Sequence, residues 1–352
     1  MSKDKKEPER TKRPTSYDVA RRAGVSQAAV SRAFSKRGYV GAEARAKIEA
    51  AAKELGFRPN ALARSLIDKR SRIVAVVIAD MYYSFYVAIL HQINGALRQA
   101  GYQTLLFSIP SSQDLDTIVD DVGDYRVDGI IMVSARLTTD VARMSEALGV
   151  PIVLMNRYAD QPSVNFVVPD DHQGGRLVAE FMLAAGHHRF AYIGGIEGAS
   201  TSRDRGEGFR AALPSSPQVK AGDFSYEGGF AATEALMRGP APPDAIFCAS
   251  DIMAWAAIDA LRHEFGLRAG RDVSVIGYND AAESRWRNYD LTTVVSSPDS
   301  MSHRAVEVLS ALLDREATPP VQERLKVHLK VRGSARVPSD YEAENVEMET
   351  GR

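Results

Sequence analysis

Between Pro14 and Phe34 the chain carries the side chains whose types and spacing most suggest chemistry. Gln27, Ala28, Ser31 and Arg32 share one face of a short helical stretch, while Val30 and Phe34 lie one turn apart on the opposite face. A polar, uncommitted face on a short helix held by a neighbour is what reading a DNA major groove requires. It also fits an ordinary surface helical pair, and the pattern alone leaves both open. Patterns for catalysis are weaker. His172, His187 and His188 have no second ligand cluster at usable spacing. Ser250-Asp251 lacks the Gly-x-Ser-x-Gly elbow of a hydrolase. Gly194-Gly195-Ile196-Glu197-Gly198 matches neither the Walker pattern nor Gly-x-Gly-x-x-Gly, and reads as a turn. No metal or cofactor is expected.

Holding the polar face in place requires a helical pair. Thr15 followed by Asp18 is a helix-start signal, and Val19, Ala20 and Ala23 fall on one face behind it. Gly24 can end that helix and Ser26 can cap the next. Lys36, Arg37, Gly38 and Tyr39 form a basic loop. A third helix over 42–56, with Ile48, Ala51, Ala52 and Leu55 at helical spacing, would close a core over Val19, Val30 and Phe34. At roughly 45 residues that core is near the limit for independent folding. In 58–66 Pro59 can open a helix in which Leu62 and Leu66 share a face. Two turns are not stable alone, so this is either a plain linker or a segment that orders when something packs on it.

From Ile73 the texture changes. Ile73–Ile78 is a continuous β-branched run typical of a parallel strand buried on both faces. Strands near 102–107, 129–133 and 151–155 alternate with helices at 85–100, 113–124 and 138–148. A second series places helices at 172–185, 203–212, 226–238 and 251–264 with strands at 189–193, 244–249 and 273–277. This alternation predicts two doubly wound parallel-sheet α/β lobes facing each other across a cleft. Residues 1–13 and the acidic stretch 339–352 lack any pattern and are expected to be disordered.

Charge divides along the same line. The 352 residues carry a net charge of -1, but residues 1–72 hold 19 Lys+Arg and 8 Asp+Glu, a net +11, and the remainder a net -12. A positive end without an amphipathic apolar face suits nucleic acid better than a membrane. Cys248 is the single cysteine, which excludes an internal disulfide. The charged amino terminus does not read as a signal peptide, and no apolar run approaches roughly 20 residues, so a cytoplasmic protein is expected.

Tyr17-Asp18-Val19-Ala20-Arg21-Arg22-Ala23-Gly24-Val25-Ser26, followed by Val30-Ser31-Arg32, resembles the headpiece of LacI-type (lactose/purine repressor) transcription regulators. Pro59-Asn60-Ala61-Leu62-Ala63-Arg64-Ser65-Leu66 is similar to that family's hinge helix. Gly186-His187, Arg205-Gly206-Glu207-Gly208-Phe209, Ser250-Asp251, Gly277-Tyr278-Asn279-Asp280 and Leu291-Thr292-Thr293-Val294 resemble its sensor landmarks. The likeness runs in order from about 14 to 337. It implies a helix-turn-helix headpiece over 14–58, a hinge and linker over 59–71, and a two-lobed, periplasmic-binding-protein-like sensor over 72–338.

The resemblance further implies a homodimer reading a near-palindromic operator, with the second helix in the major groove. Gln27 and Ala28 then occupy the positions that set base preference, with Arg32 one turn on. Gln27 suits adenine edges, Arg32 a bidentate contact to guanine and Ala28 a methyl contact. Ser16, Ser26, Ser31, Arg37 and Tyr39 are candidates for phosphate contacts, Ser26 equally for a cap alone, and Tyr17 joins the DNA-binding set. By the same likeness Leu66 wedges between base steps in the minor groove, Ala63 permits close approach and Arg64 tracks the backbone or groove. In the sensor Phe85 and Tyr86 would form an apolar wall, Arg205 would donate to the effector, Phe224 would stack on a ring, and Ser250 and Asn279 would line the far lobe. Core packing is the alternative for the three aromatic residues.

Three departures bear on these expectations. Gly41 stands where the family has a serine cap, Ser296-Ser297-Pro298 replaces a Gln-Pro-containing segment, and Asn279 takes a position often held by Asp, a loss of charge that points away from a typical neutral sugar. The expected function is a DNA-binding regulator, most simply a repressor, whose operator binding responds to a sugar or related metabolite. The rival is a cytoplasmic solute-binding protein or α/β enzyme with an accessory helical domain. Whether the effector releases or promotes DNA binding is open at this level.

Overall fold

Local hydrogen bonding explains where the first helices start and stop. Thr15 Oγ1 accepts from the backbone N–H of Asp18 at 3.4 Å, and Thr15 N–H donates to the Asp18 carboxylate at 2.9 Å, a reciprocal cap for α1 (Ser16–Ala23). Gly24, at φ 66°, ends that helix in a left-handed conformation. Ser26 Oγ accepts from Ala29 N–H at 3.2 Å and caps α2 (Gln27–Ala33). Gly41 offers no such bond to α3 (Ala42–Leu55), so that helix begins without a side-chain cap. Val19, Val30 and Ile48 are buried at the centre of the three. Arg22 reaches Glu54 at 2.9 Å and Arg45 donates to the Ala33 carbonyl at 2.8 Å, tying α3 to the other two.

The computed structural model describes residues 14–34, 39–58, 70–79, 83–109, 116–133, 141–317 and 320–339, and the chain divides into two units after Ser71. The hinge residues Ala63, Arg64 and Leu66, Arg37 of the basic loop, and both terminal stretches expected to be disordered lie outside the described residues, save Asp-flanking Ser339.

The second unit has two lobes. The first contains β1 (Ile73–Ala79), α4 (Ser84–Gln99), β2 (Gln103–Ile109), α5 (Asp116–Gly123), β3 (Gly129–Val133), α6 (Val141–Leu148), β4 (Ile152–Met155) and β5 (Asn165–Pro169). Helix α7 (Asp171–Ala184) carries the chain into the second lobe. That lobe is built from β6 (Phe190–Gly194), α8 (Ser200–Ala212), β7 (Gln218–Ala221), α9 (Tyr226–Met237), β8 (Ala245–Cys248), α10 (Asp251–Phe265), β9 (Ser274–Tyr278) and β10 (Thr292–Val295). Helix α11 (Pro298–Leu313) returns to the first lobe, where β11 (Gln322–Leu325) adds to its sheet, and β12 (His328–Lys330) goes back to the second. The sheet orders are β11-β5-β4-β3-β1-β2 and β12-β10-β9-β8-β6-β7. All pairs are parallel except β10 with β12.

The doubly wound prediction therefore holds for both lobes. Several elements were not anticipated: β5, β7, β10, β11, β12 and α11. Strands β7 and β11 are four residues each and β12 three, with little apolar run to mark them. Strands β11 and β12 also depend on the chain changing lobes, which a strand-helix alternation does not encode. The carboxyl ends of the parallel strands face the join between lobes, the place where such sheets bind ligands.

Candidate DNA-reading face and effector cleft

In the headpiece Ala28 and Arg32 are exposed, and Gln27 and Ser31 are half-buried. Gln27 Nε2 lies 3.4 Å from Ser16 Oγ, a long bond that couples the two helices and leaves the amide oxygen available. Ser26 spends its hydroxyl on the cap. Tyr17 is 68% and Tyr39 90% exposed. The structure thus presents Ala28 and Arg32, flanked by Gln27 and Ser31, on a face that the headpiece core does not use.

In the two-lobed unit Arg205 is the organising residue. It is 2% exposed on α8, with Nε donating to the Asp171 carboxylate at 2.8 Å and Nη1 to the Ala249 carbonyl at 2.6 Å. Its guanidinium lies over the Tyr278 ring, 3.6 Å from the centroid. Burial alone would lower its pKa, but Asp171 beside it more than reverses that and keeps the group charged. The same burial lifts the Asp171 carboxyl above its ordinary value, with Arg205 pulling it back. The ion pair is internally neutral. Nη2 of Arg205, Oγ of Ser250 and Nε1 of Trp255 are buried with no hydrogen-bond partner among the described residues. Each such donor costs about 1–3 kcal/mol unless something else satisfies it.

The close approach of α7 to α8 depends on glycines. A Cβ on Gly175 would sit 2.0 Å from the Arg205 carbonyl oxygen, and one on Gly208 would sit 1.9 Å from that of His172. This contact is what carries Asp171 to Arg205. Gly195 similarly makes room for the Phe224 ring, and Phe224 adopts φ 56°. The Arg157 guanidinium lies 5.1 Å from the centre of that ring. Asn279, at φ 117°, donates to Tyr83 Oη at 3.2 Å and accepts from Ser296 Oγ at 3.0 Å. Ser296 therefore bonds into the cleft, while Ser297 caps α11 by accepting from Ser300 N–H at 3.2 Å.

Contacts across the join hold the lobes together. Asn279 to Tyr83 is one and Ser84 to Glu283 a second. Tyr83 also meets Trp255 edge-on, ring centres 5.9 Å apart. On the far side Tyr158 Oη donates to Asp204 at 2.7 Å, and Tyr158 N–H to Ser200 Oγ at 3.1 Å.

Of the expected effector residues, Arg205, Phe224, Ser250 and Asn279 lie at the carboxyl edge of the second sheet. Phe85 is 2% exposed in the core, packed behind Tyr83 and Tyr86 rather than forming a surface of its own. Its place on α4, one turn from Ile89, accounts for this. Tyr86 is half-buried beside Tyr83. Tyr83, Asp171, Arg157 and Trp255 were missed. The Asp170-Asp171 pair directly after a strand was a readable sign of Asp171; nothing local marked the others. Among the described residues no group of three or more His, Cys, Asp or Glu could hold a metal, and no helix is long and apolar enough to cross a membrane.

A headpiece with a capped, exposed reading helix and a two-lobed sensor define a class: regulators that join DNA reading to ligand sensing. Comparison with known proteins agrees. Residues 15–60 match the family described as bacterial regulatory proteins, lacI family. Residues 71–308 match periplasmic binding proteins and sugar binding domain of LacI family. The regulator CelR of Thermobifida fusca is 32% identical over 93% of this chain and 99% of its own length. The ribose operon repressor of Escherichia coli K12 is 31% identical over 91% of this chain and 99% of its own. A lac repressor dimer bound to operator and the anti-inducer ONPF superposes with a TM-score of 0.85 at 29% identity, covering 93% of this chain and 100% of that one. A CelR–cellobiose complex gives 0.70 at 30%, covering 92% and 100%. The chain belongs to the LacI family of DNA-binding transcriptional repressors with a sugar-binding effector domain.

Proposed function

We propose that this protein is a cytoplasmic, non-enzymatic homodimeric repressor that reads a near-palindromic operator and answers to an uncharged sugar held between its lobes. Gln27, Ala28 and Arg32 read bases. Ser16, Tyr17, Ser31, Arg37 and Tyr39 fix register on phosphates, with Ser26 serving mainly as a cap. Ala63, Arg64 and Leu66 enter the minor groove. The observation that carries the effector reading is the set of buried donors on Arg205, Ser250 and Trp255 that find no partner among the described residues, with the Tyr83 ring against Trp255 and the Phe224 ring beside Arg157. A polyhydroxyl ligand supplies acceptors for those donors and apolar sugar faces for the rings. Asp171 already balances Arg205, and Asn279 brings no charge, so a neutral ligand leaves no charge unpaired.

Gel-shift titration of the full chain on operator DNA, with and without each of a panel of mono- and disaccharides, tests this. One sugar should shift the midpoint. Arg205→Lys, which keeps the charge but loses the fork, should weaken that response at least tenfold while leaving sugar-free DNA binding intact. Absence of sequence-specific DNA binding would remove the repressor reading. A sugar response unchanged by Arg205→Lys would remove the placement of the effector.

A further inference from the structure

The amino-terminal end of α8 has two sets of partners. Arg205 is held by Asp171 and the Ala249 carbonyl. Ser200, Arg203 and Asp204, just before it, bond to the first lobe instead. Ser200 Oγ accepts from Tyr158 N–H at 3.1 Å, and Asp204 accepts from Tyr158 Oη at 2.7 Å. Arg203 Nη2 donates to the same hydroxyl at 2.8 Å, its Nε to Asp204 at 2.8 Å, and its Nη1 to Asp160. Arg324, on β11, comes within 3.6 Å of Asp204 and lies over the Tyr158 ring, 4.6 Å from its centre. Tyr158 in turn packs on Phe166 of β5, ring centres 4.9 Å apart.

The charges of this cluster answer one another. Arg203 and Arg324 face Asp160 and Asp204, and Asp170 adds its charge near Arg324 while capping α7 through Gln173 N–H at 3.1 Å. These ion-pair partners all come from one chain, so the cluster does not depend on the exposure of any group in a single subunit. Its members differ in depth. The Asp204 side chain is 8% exposed, whereas those of Arg203 and Asp160 are 38% and 65% exposed. Pairs so placed are screened as the Debye length falls from about 10 Å at 0.1 M salt to about 3 Å at 1 M. On the opposite flank of the join, Asn279 to Tyr83 and Ser84 to Glu283 each include a neutral partner. Ionic strength therefore acts more on one flank than on the other.

We propose that Tyr158, Asp160, Arg203, Asp204 and Arg324 form a salt-sensitive latch, which holds the lobes together in the ligand-free protein and lets them part as ionic strength rises. The latch does not depend on which sugar the cleft takes. It does act on the effector arginine, because Arg205 directly follows Asp204 and α8 moves as one rod. A ligand that needs both lobes then meets a competent fraction set by salt, and its apparent affinity scales with that fraction.

Double electron–electron resonance on the ligand-free, full-length protein tests this. Spin labels go on Glu146→Cys in α6 and Arg210→Cys in α8, both exposed, while the native Cys248 is buried and stays unlabelled. Labelled chains are diluted with an excess of unlabelled ones, so that each dimer reports one interlobe distance. A narrow distance is expected at about 50 mM salt, lengthening and broadening by about 500 mM. Arg203→Gln and Asp160→Asn should each give a longer, broader distribution already at low salt, and Asp160→Asn should add nothing to Arg203→Gln. Circular dichroism should stay unchanged, since Asp160 is a surface side chain. Arg176→Gln, whose partner Glu180 lies on the same helix, should follow the wild type. Deuterium exchange at the Tyr158 amide should quicken about fivefold in the two latch variants. A distance unmoved by salt and by both variants would overturn the proposal, as would additive effects or equal opening in Arg176→Gln. Faster exchange at Tyr158 with an unchanged interlobe distance would mean a local brace, and would overturn it too.

Discussion

Asp251 shows how one side chain couples the wall of the cleft to its backbone. Its carboxylate accepts from Ala281 N–H at 2.7 Å, Ser284 Oγ at 2.9 Å and Thr293 Oγ1 at 2.6 Å. Complete burial nevertheless pushes its pKa up to about 7, with those three donors pulling the other way. A carboxyl with a raised folded-state pKa stabilises the fold fully below its unfolded value near 3.8 and loses that contribution as pH rises through about 7. Asp251→Asn removes the titration while its carbonyl can still accept from Ala281 and its amide can donate to Thr293. Urea midpoints of the two proteins should therefore shift in favour of the variant between pH 5 and 8. A constant offset across that range would show that Asp251 is ionised throughout. This arrangement was not legible beforehand, because its partners lie 30 to 42 residues away in sequence. The headpiece was legible, since Thr15 with Asp18, Gly24 and Ser26 act on helix ends within a few positions of themselves.

At the scale of elements the decisive contact is α7 against α8. Gly175 meets the Arg205 carbonyl at a distance no Cβ tolerates, and backbone cannot yield as a flexible side chain does. Gly175→Ala should cost about 1–3 kcal/mol and should also weaken effector binding, because the helices must part and Arg205 moves with them. Gly95, mid-helix in α4 with nothing within 4 Å, provides the contrast. There Gly95→Ala should raise stability by about 0.5–1 kcal/mol. Thermal or urea melts distinguish the two, and equal effects would mean that packing between the helices is not what the glycines serve. Helical periodicity showed both helices in the sequence, and glycine spacing hinted at nothing more. That Gly175 meets the backbone of α8 at Arg205 and Gly208 that of α7 at His172 follows from how the helices cross, which periodicity does not contain. Strands β11 and β12 escaped for a similar reason, being defined by their neighbours more than by their own residues.

Across the whole molecule, the charge division makes a quantitative demand. A headpiece region with a net +11 attached to a remainder of -12 should bind DNA with an affinity that falls steeply with salt, since each phosphate neutralised releases counterions. For about six phosphate contacts, raising salt from 50 to 200 mM should cost about a thousandfold. Exchanging Gln27 and Ala28 for other residues should change which operator is preferred without altering that slope, as base contacts specify and phosphate contacts position. A slope that changed with those substitutions would place them on phosphates.

The chain passes between the lobes three times, after β5, after β10 and between β11 and β12. A single strand joining two bodies would act as a swivel, free to twist as well as bend. Three crossings constrain torsion and favour one opening motion, in the manner of a door on several hinges. Whatever binds in the cleft then has one mechanical degree of freedom to work on, and the same closing stroke is delivered whichever lobe the ligand touches first. Neither lobe is a continuous stretch of chain, so neither can be cut out by shortening the protein from one end.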